Sequence, residues 1–170
     1  TENADLTVID STITLSDADD TQLNSATVTI SAGRSAGDVL GFANTPNIAG
    51  SYDSGTGVLT LTGTDTLANY REALRNVTYR STSDDPTATS ATRTITWTVT
   101  DANSDAVGTQ TSTGVTSTIN LAAVNDKPVA TAGATLAFTE NAELTVIDST
   151  VTLSDADDTQ LNSATVTISA

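Results

Sequence analysis

Residues 1–32, TENADLTVIDSTITLSDADDTQLNSATVTISA, return as residues 139–170, TENAELTVIDSTVTLSDADDTQLNSATVTISA. Only Asp5 against Glu143 and Ile13 against Val151 differ, so 30 of 32 positions match at an offset of 138. Near-identity at that spacing is the mark of a tandem array. The 170 residues therefore divide into 1–126, a repeat unit lacking its first strand, and 127–170, the first strands of the next identical unit. The opening strand of the first copy is expected on a longer polypeptide of which this chain is a window. A neighbouring chain filling the slot, or a frayed edge, are the alternatives.

A unit of this size can bury a core without covalent staples, and the chain has no Cys to supply them. Six basic residues against 21 acidic give −15, which argues against nucleic acid and anionic membrane surfaces as partners. Bound cations, or a salty exterior, would offset such self-repulsion. With His and Met also absent, the commonest catalytic base and the soft-metal ligands are missing. No apolar run approaches a membrane span.

Thr is the commonest residue, 36 of 170, and it alternates with Val and Ile as in strands with one solvated face. The alternation predicts strands at 12–16 (Ile13 and Leu15 inward), 26–31 (Val28 and Ile30 inward), 48–53 and 58–62. Ser54-Gly55-Thr56-Gly57 is the hairpin turn between the last two. Leu67, Tyr70 and Leu74 form the stripe of one short helix, 66–75, which Asp65 can cap. Strands at 77–81, 93–100 (Ile95, Trp97 and Val99 inward) and 115–122 follow, and 129–138 opens the next unit. Many short strands with one helix define an all-β, antiparallel sandwich.

Each copy carries an acidic run, Ser16-Asp17-Ala18-Asp19-Asp20 and Ser154-Asp155-Ala156-Asp157-Asp158. Two carboxylates two residues apart can be aimed at one hard cation, and Ca²⁺ takes 6–8 oxygen ligands in flexible geometry. The same spacing also fits acids merely solvated at strand ends, and the residues alone leave both readings open.

Four landmarks resemble the cadherin-type repeat in order and spacing. They are Thr-Glu-Asn at 1–3 and 139–141, Ser-Asp-Ala-Asp at 16–19 and 154–157, Ile95-Thr-Trp-Thr-Val-Thr-Asp101, and Val124-Asn-Asp-Lys-Pro128. The middle, Gly50–Gly63 with Ala68–Leu74, is similar to the cadherin-like repeats of giant bacterial surface adhesins. The resemblance implies a cadherin/Ig-like sandwich and Ca²⁺ at the junctions between consecutive units. It assigns Glu2, Asn125, Asp126, Asp155 and Asp157 to one junction, and Asp17, Asp19 and Asp101 to the opposite pole of the first unit. Asn24 and Asn162 could each add a carbonyl oxygen. Ala123 and Lys127 stand where the family's linker has Asp and Asn, so one or two ions per junction are expected rather than three.

The implied role is a non-enzymatic extender repeat of a secreted or cell-surface bacterial adhesin or fibre. Its partners would be neighbouring identical repeats, and possibly other fibre chains. The other reading is a carbohydrate- or surface-binding, lectin-like module, which needs an exposed aromatic platform such as Trp97 or Tyr70. Paired carboxylates could serve glycoside hydrolysis, but with no His and no cleft indicated, no enzymatic activity is expected.

Overall fold

The structure, a computed structural model, describes residues 3–104 and 106–169. The chain separates into two compact units, Thr1–Val124 and Asn125–Ala170.

The first unit contains β1 (Thr7–Val8), β2 (Gln22–Ala32), β3 (Asp38–Gly41), β4 (Ala49–Asp53) and β5 (Val58–Thr66). It continues with helix α1 (Leu67–Arg75), β6 (Thr78–Ser81), β7 (Thr92–Asp101) and β8 (Val115–Asn120). Five strands form one sheet in the order β4-β5-β2-β7-β8, and three form a second, β1-β6-β3. Every pairing is antiparallel. The fold is an antiparallel β-sandwich with one short helix.

Period-two alternation decides which residues face the core. Ala26, Val28 and Ile30 of β2, Leu59 and Leu61 of β5, and Ile95 and Trp97 of β7 are all buried. Leu40, Val77 and Tyr79 meet them from the other sheet region, and Tyr70, Ala73 and Leu74 from α1. The opposite face of the large sheet is threonine. Thr27 and Thr98 stand opposite each other and their hydroxyls lie 2.6 Å apart, a cross-strand pair that gives the face its order. Between Leu23 and Ser25 the register slips by a bulge, so Leu23 and Ala26 both point inward although three residues apart.

The helix begins one residue later than the sequence indicates. Thr66, not Asp65, is the N-cap, with Oγ1 accepting from the Asn69 amide at 3.2 Å. Asp65 stands behind it, accepting from the Thr66 amide and from Asn69 Nδ2. The Tyr70 hydroxyl donates to the Gly63 carbonyl at 2.6 Å. Gly63 has φ +124°, and a Cβ there would lie 1.9 Å from the Asn47 carbonyl oxygen, so only glycine fits.

One buried charge pair crosses the sandwich. Arg93 is on the inward parity of β7 and fully buried, with Nε 2.6 Å from Asp38 Oδ2 of β3. The Tyr79 hydroxyl of β6 donates to Asp38 Oδ1 and the Tyr52 hydroxyl of β4 to the Asp38 carbonyl. Arg93 Nη2 also donates to the Pro86 carbonyl. Burial and the neighbouring carboxylate push the Tyr79 hydroxyl well above its usual range.

Residues 12–16 are not a strand, contrary to the alternation. Ile13 and Leu15 do pack against the core, but this segment has no ladder partner among the described residues. Likewise the strand expected at 129–138 is ordered into a ladder only at β9 (Val129–Thr131), which pairs with β10 (Thr152–Ser154) in the second unit. The second unit has few buried side chains; Val129, Leu144, Val151, Leu153, Val166 and Ile168 are all exposed. Among the described residues no helix is long and apolar enough to cross a membrane.

Removing one partner of a buried ion pair leaves the other charge stranded. Asp38→Ala is expected to cost about 3–5 kcal/mol of stability, read by denaturant unfolding followed through Trp97 fluorescence. Replacing both residues with apolar ones, Asp38→Leu with Arg93→Met, should recover most of that loss.

Candidate cation-binding hollows

The acidic loops have the same local form in both copies, because one carboxylate builds each. Asp17 Oδ1 accepts the amides of Asp19 and Asp20 at 3.2 and 2.9 Å. Asp155 Oδ1 accepts those of Asp157 and Asp158 at 3.0 and 2.9 Å. An aspartate bonding to amides just ahead of it is an Asx-type turn, fixed by local sequence. Those amides, Asp20's foremost, hold the Asp17 carboxyl below the usual aspartate range.

In the first unit Asp17 and Asp101 line one small hollow, about 160 Å³, with Ser16, Gln110, Thr111 and Ser112. Asp101 ends β7 and is buried. Its two oxygens accept the amides of Asn103 (3.0 Å) and Gln110 (2.6 Å), so it clasps the loop that follows. Asp19 is exposed and does not line this hollow. The buried member of the run is Asp20, which accepts from the amide and the hydroxyl of Ser104. Nothing local in the sequence marks Asp20, since Ser104 lies 84 residues away. Asn24 sits at the β2 bulge, within 3.4 Å of Thr64 Oγ1.

In the second unit Asn125, Asp126 and Asp155 line an open hollow of about 730 Å³ together with Lys127, Val129, Ser154 and Ala156. Asp157 joins them through its carboxylate: Oδ2 accepts the Asp126 amide at 2.6 Å. Its Oδ1 is buried and has no hydrogen-bond partner among the described residues. A buried oxygen without a donor is costly, and a cation is one way to satisfy it. Lys127 brings a positive charge into the same hollow and works against that. Glu2, assigned to this set by the family resemblance, lies outside the described residues.

The oxygen-only donor set and the orphaned Asp157 Oδ1 suit a hard divalent ion such as Ca²⁺. The grouping is looser than a finished site. Among the described residues no three Asp or Glu side chains converge as a metal-holding cluster. Trp97 and Tyr70 are both buried, so neither offers a sugar-stacking platform. Burial and the nearby Asp65 push the Tyr70 hydroxyl up to about 12.

No protein-family model matches the chain, and no solved structure matches it. Among curated proteins it is similar to halomucin of Haloquadratum walsbyi, 41% identical over 83 residues. The match takes in 45% of this chain and 1% of that protein.

A carboxyl whose folded pKa is depressed contributes stability above its unfolded value, about 3.9 for aspartate, and loses it as pH falls through the folded value. The Asp17 carboxyl should therefore titrate below about 3.9 in carbon-detected NMR, with its loop stabilised throughout the neutral range. A midpoint at or above the unfolded value would mean the two amide contacts are not made in solution.

Proposed function

We propose that the chain is a structural, non-enzymatic repeat of a large secreted or cell-surface protein. In this reading it is an extender segment of adhesin or fibre type, and Ca²⁺ at the inter-repeat linkers stiffens it. The observation that carries the reading is the gathering of Asn125, Asp126, Asp155 and Asp157, with Asp157 Oδ1 buried and unpartnered. The doubled segment at a 138-residue offset supports the array. So does the likeness to halomucin, a protein about a hundred times longer than the matched stretch. It also supports an extracellular, surface setting.

The same four residues would hold the ion. Asp17 and Asp101, with Asp19 from the same loop, would serve the equivalent position in the first unit. The ion supplies positive charge that cross-links carboxylates which otherwise repel one another. The neighbours held in this way are identical repeats, and other fibre chains where arrays lie side by side. The acids bind rather than react: the chain has no His to move a proton, and the buried carboxylates are engaged in holding loops and strands.

Calorimetric titration of Ca²⁺ into the full chain should give saturable binding, and Asp155→Asn combined with Asp157→Asn should abolish its strongest component. Small-angle scattering should change on adding chelator. No binding heat, together with superimposable scattering profiles with and without Ca²⁺, would sink the proposal.

A further inference from the structure

A cleft of about 560 Å³ opens between α1 and the loop that follows β3, a size within the range of small-molecule sites. Asn69, Glu72, Ala73 and Asn76 line it from the helix side. They stand at i, i+3, i+4 and i+7, so helical periodicity puts all four on one face. The loop contributes Phe42, Pro46 and Asn47. Its shape is set by its own bonds. Thr45 Oγ1 accepts the Ile48 amide at 3.0 Å, and Asn44 Oδ1 accepts the Gly50 amide at 2.9 Å. Phe42 packs on the core and lies against Gly50, where a Cβ would come 2.6 Å from its Cδ1. Both walls are therefore formed by the fold itself.

Three carboxamides line the cleft, and each is tied by its nitrogen. Asn69 Nδ2 donates to Asp65 Oδ1 at 2.7 Å and Asn47 Nδ2 to Asp65 Oδ2 at 3.4 Å. Asn76 Nδ2 donates to the Glu72 carbonyl at 2.8 Å. The Oδ1 of each amide accepts nothing among the described residues, and an amide oxygen has two lone pairs to offer. The two acids of the cleft are already engaged. Asp65 accepts from Asn69, Asn47 and the Thr66 amide, and Glu72 stands 3.7 Å from Arg71 and 3.6 Å from Arg75.

We infer that this cleft is a binding site for a neutral saccharide. A sugar ring offers a face of C–H groups to Phe42 and Pro46, and hydroxyls around its edge that donate to the three amide oxygens. A cation finds no free carboxylate there. A purely apolar ligand would cover the three acceptors without satisfying them. The aromatic contact is Phe42, half-buried in a loop, rather than the buried Trp97 or Tyr70. The cleft lies within the first unit and shares no residue with the hollows proposed for Ca²⁺. It adds contact with a glycan to the extender role and does not depend on that role.

The test uses the full chain in chelator, so that its outcome is separate from that of the Ca²⁺ reading. Cellobiose, maltose and lactose are titrated in turn, and the side-chain amide resonances of the asparagines are followed by NMR. At least one sugar should give saturable shifts at Asn47, Asn69 and Asn76 while Asn125 stays unmoved. Asn69→Ala, at a helix position that alanine favours, should weaken binding about tenfold. Phe42→Leu keeps an apolar side chain but removes the ring, and should weaken binding several-fold. Circular dichroism checks that both variants are folded. No shift with any of the three sugars, undiminished affinity in folded Asn69→Ala, or equal shifts with tetramethylammonium chloride overturns the inference.

Discussion

Hydrogen bonding on both sides of β2 is the constraint on which the sandwich depends. β5 pairs along one edge and β7 along the other. The segment Ala26–Ser31 recurs unchanged as Ala164–Ser169. In the first place Val28 and Ile30 are 0% and 4% exposed; in the second Val166 and Ile168 are 87% and 98% exposed. The second segment forms no ladder among the described residues. Identical propensity and identical alternation therefore yield a central strand only where neighbours complete its backbone bonds and cover its apolar face. Sequence supplies the pattern, and tertiary pairing converts the pattern into a strand.

The Asp38–Arg93 pair makes that pairing specific. It links β3 of the small sheet to β7 of the large one, and tyrosines from β6 and β4 reach the same aspartate. Buried ion pairs add little net stability over an apolar filling, yet they are costly to mismatch. A slip of β7 by one residue would turn Arg93 to the threonine face and leave Asp38 buried without its countercharge. Three strands from two sheets are thus held to one register by a single carboxylate, and Tyr52 of β4 joins them through the Asp38 carbonyl.

What could be read from the sequence divides along the same line between local and non-local causes. The alternation in β2 and β7, the hairpin at 54–57 and the helix stripe were legible, because each is written within a few residues. The Asx turns at Asp17 and Asp155 were legible as loops for the same reason, and they come out alike in both units. The segment 12–16 read as a strand and is not one, since alternation cannot say whether a partner is at hand. Arg93 carries its own signal in the sequence: it shares inward parity with Ile95 and Trp97, which marks a buried cation in need of a countercharge. Which acid supplies that charge could not be read, because Asp38 lies 55 residues away. The same limit hid the tie between Asp20 and Ser104.

The candidate site combines both kinds of cause. Asp155 spends Oδ1 on the amides of its own loop, so the loop keeps its shape without help from an ion. Asp157 is placed by a non-local contact, with Oδ2 on the amide of Asp126, 31 residues away. Its Oδ1 has no donor among the described residues. Each carboxylate is thereby oriented by hydrogen bonds to one of its oxygens. The loops are thus ordered by their own hydrogen bonds, and an ion bound as proposed above would not have to order them. Lys127, which lines the same hollow, acts in the opposite sense. The orphaned oxygen of Asp157 and the ammonium of Lys127 thus act in opposite senses on the cation proposed for this hollow.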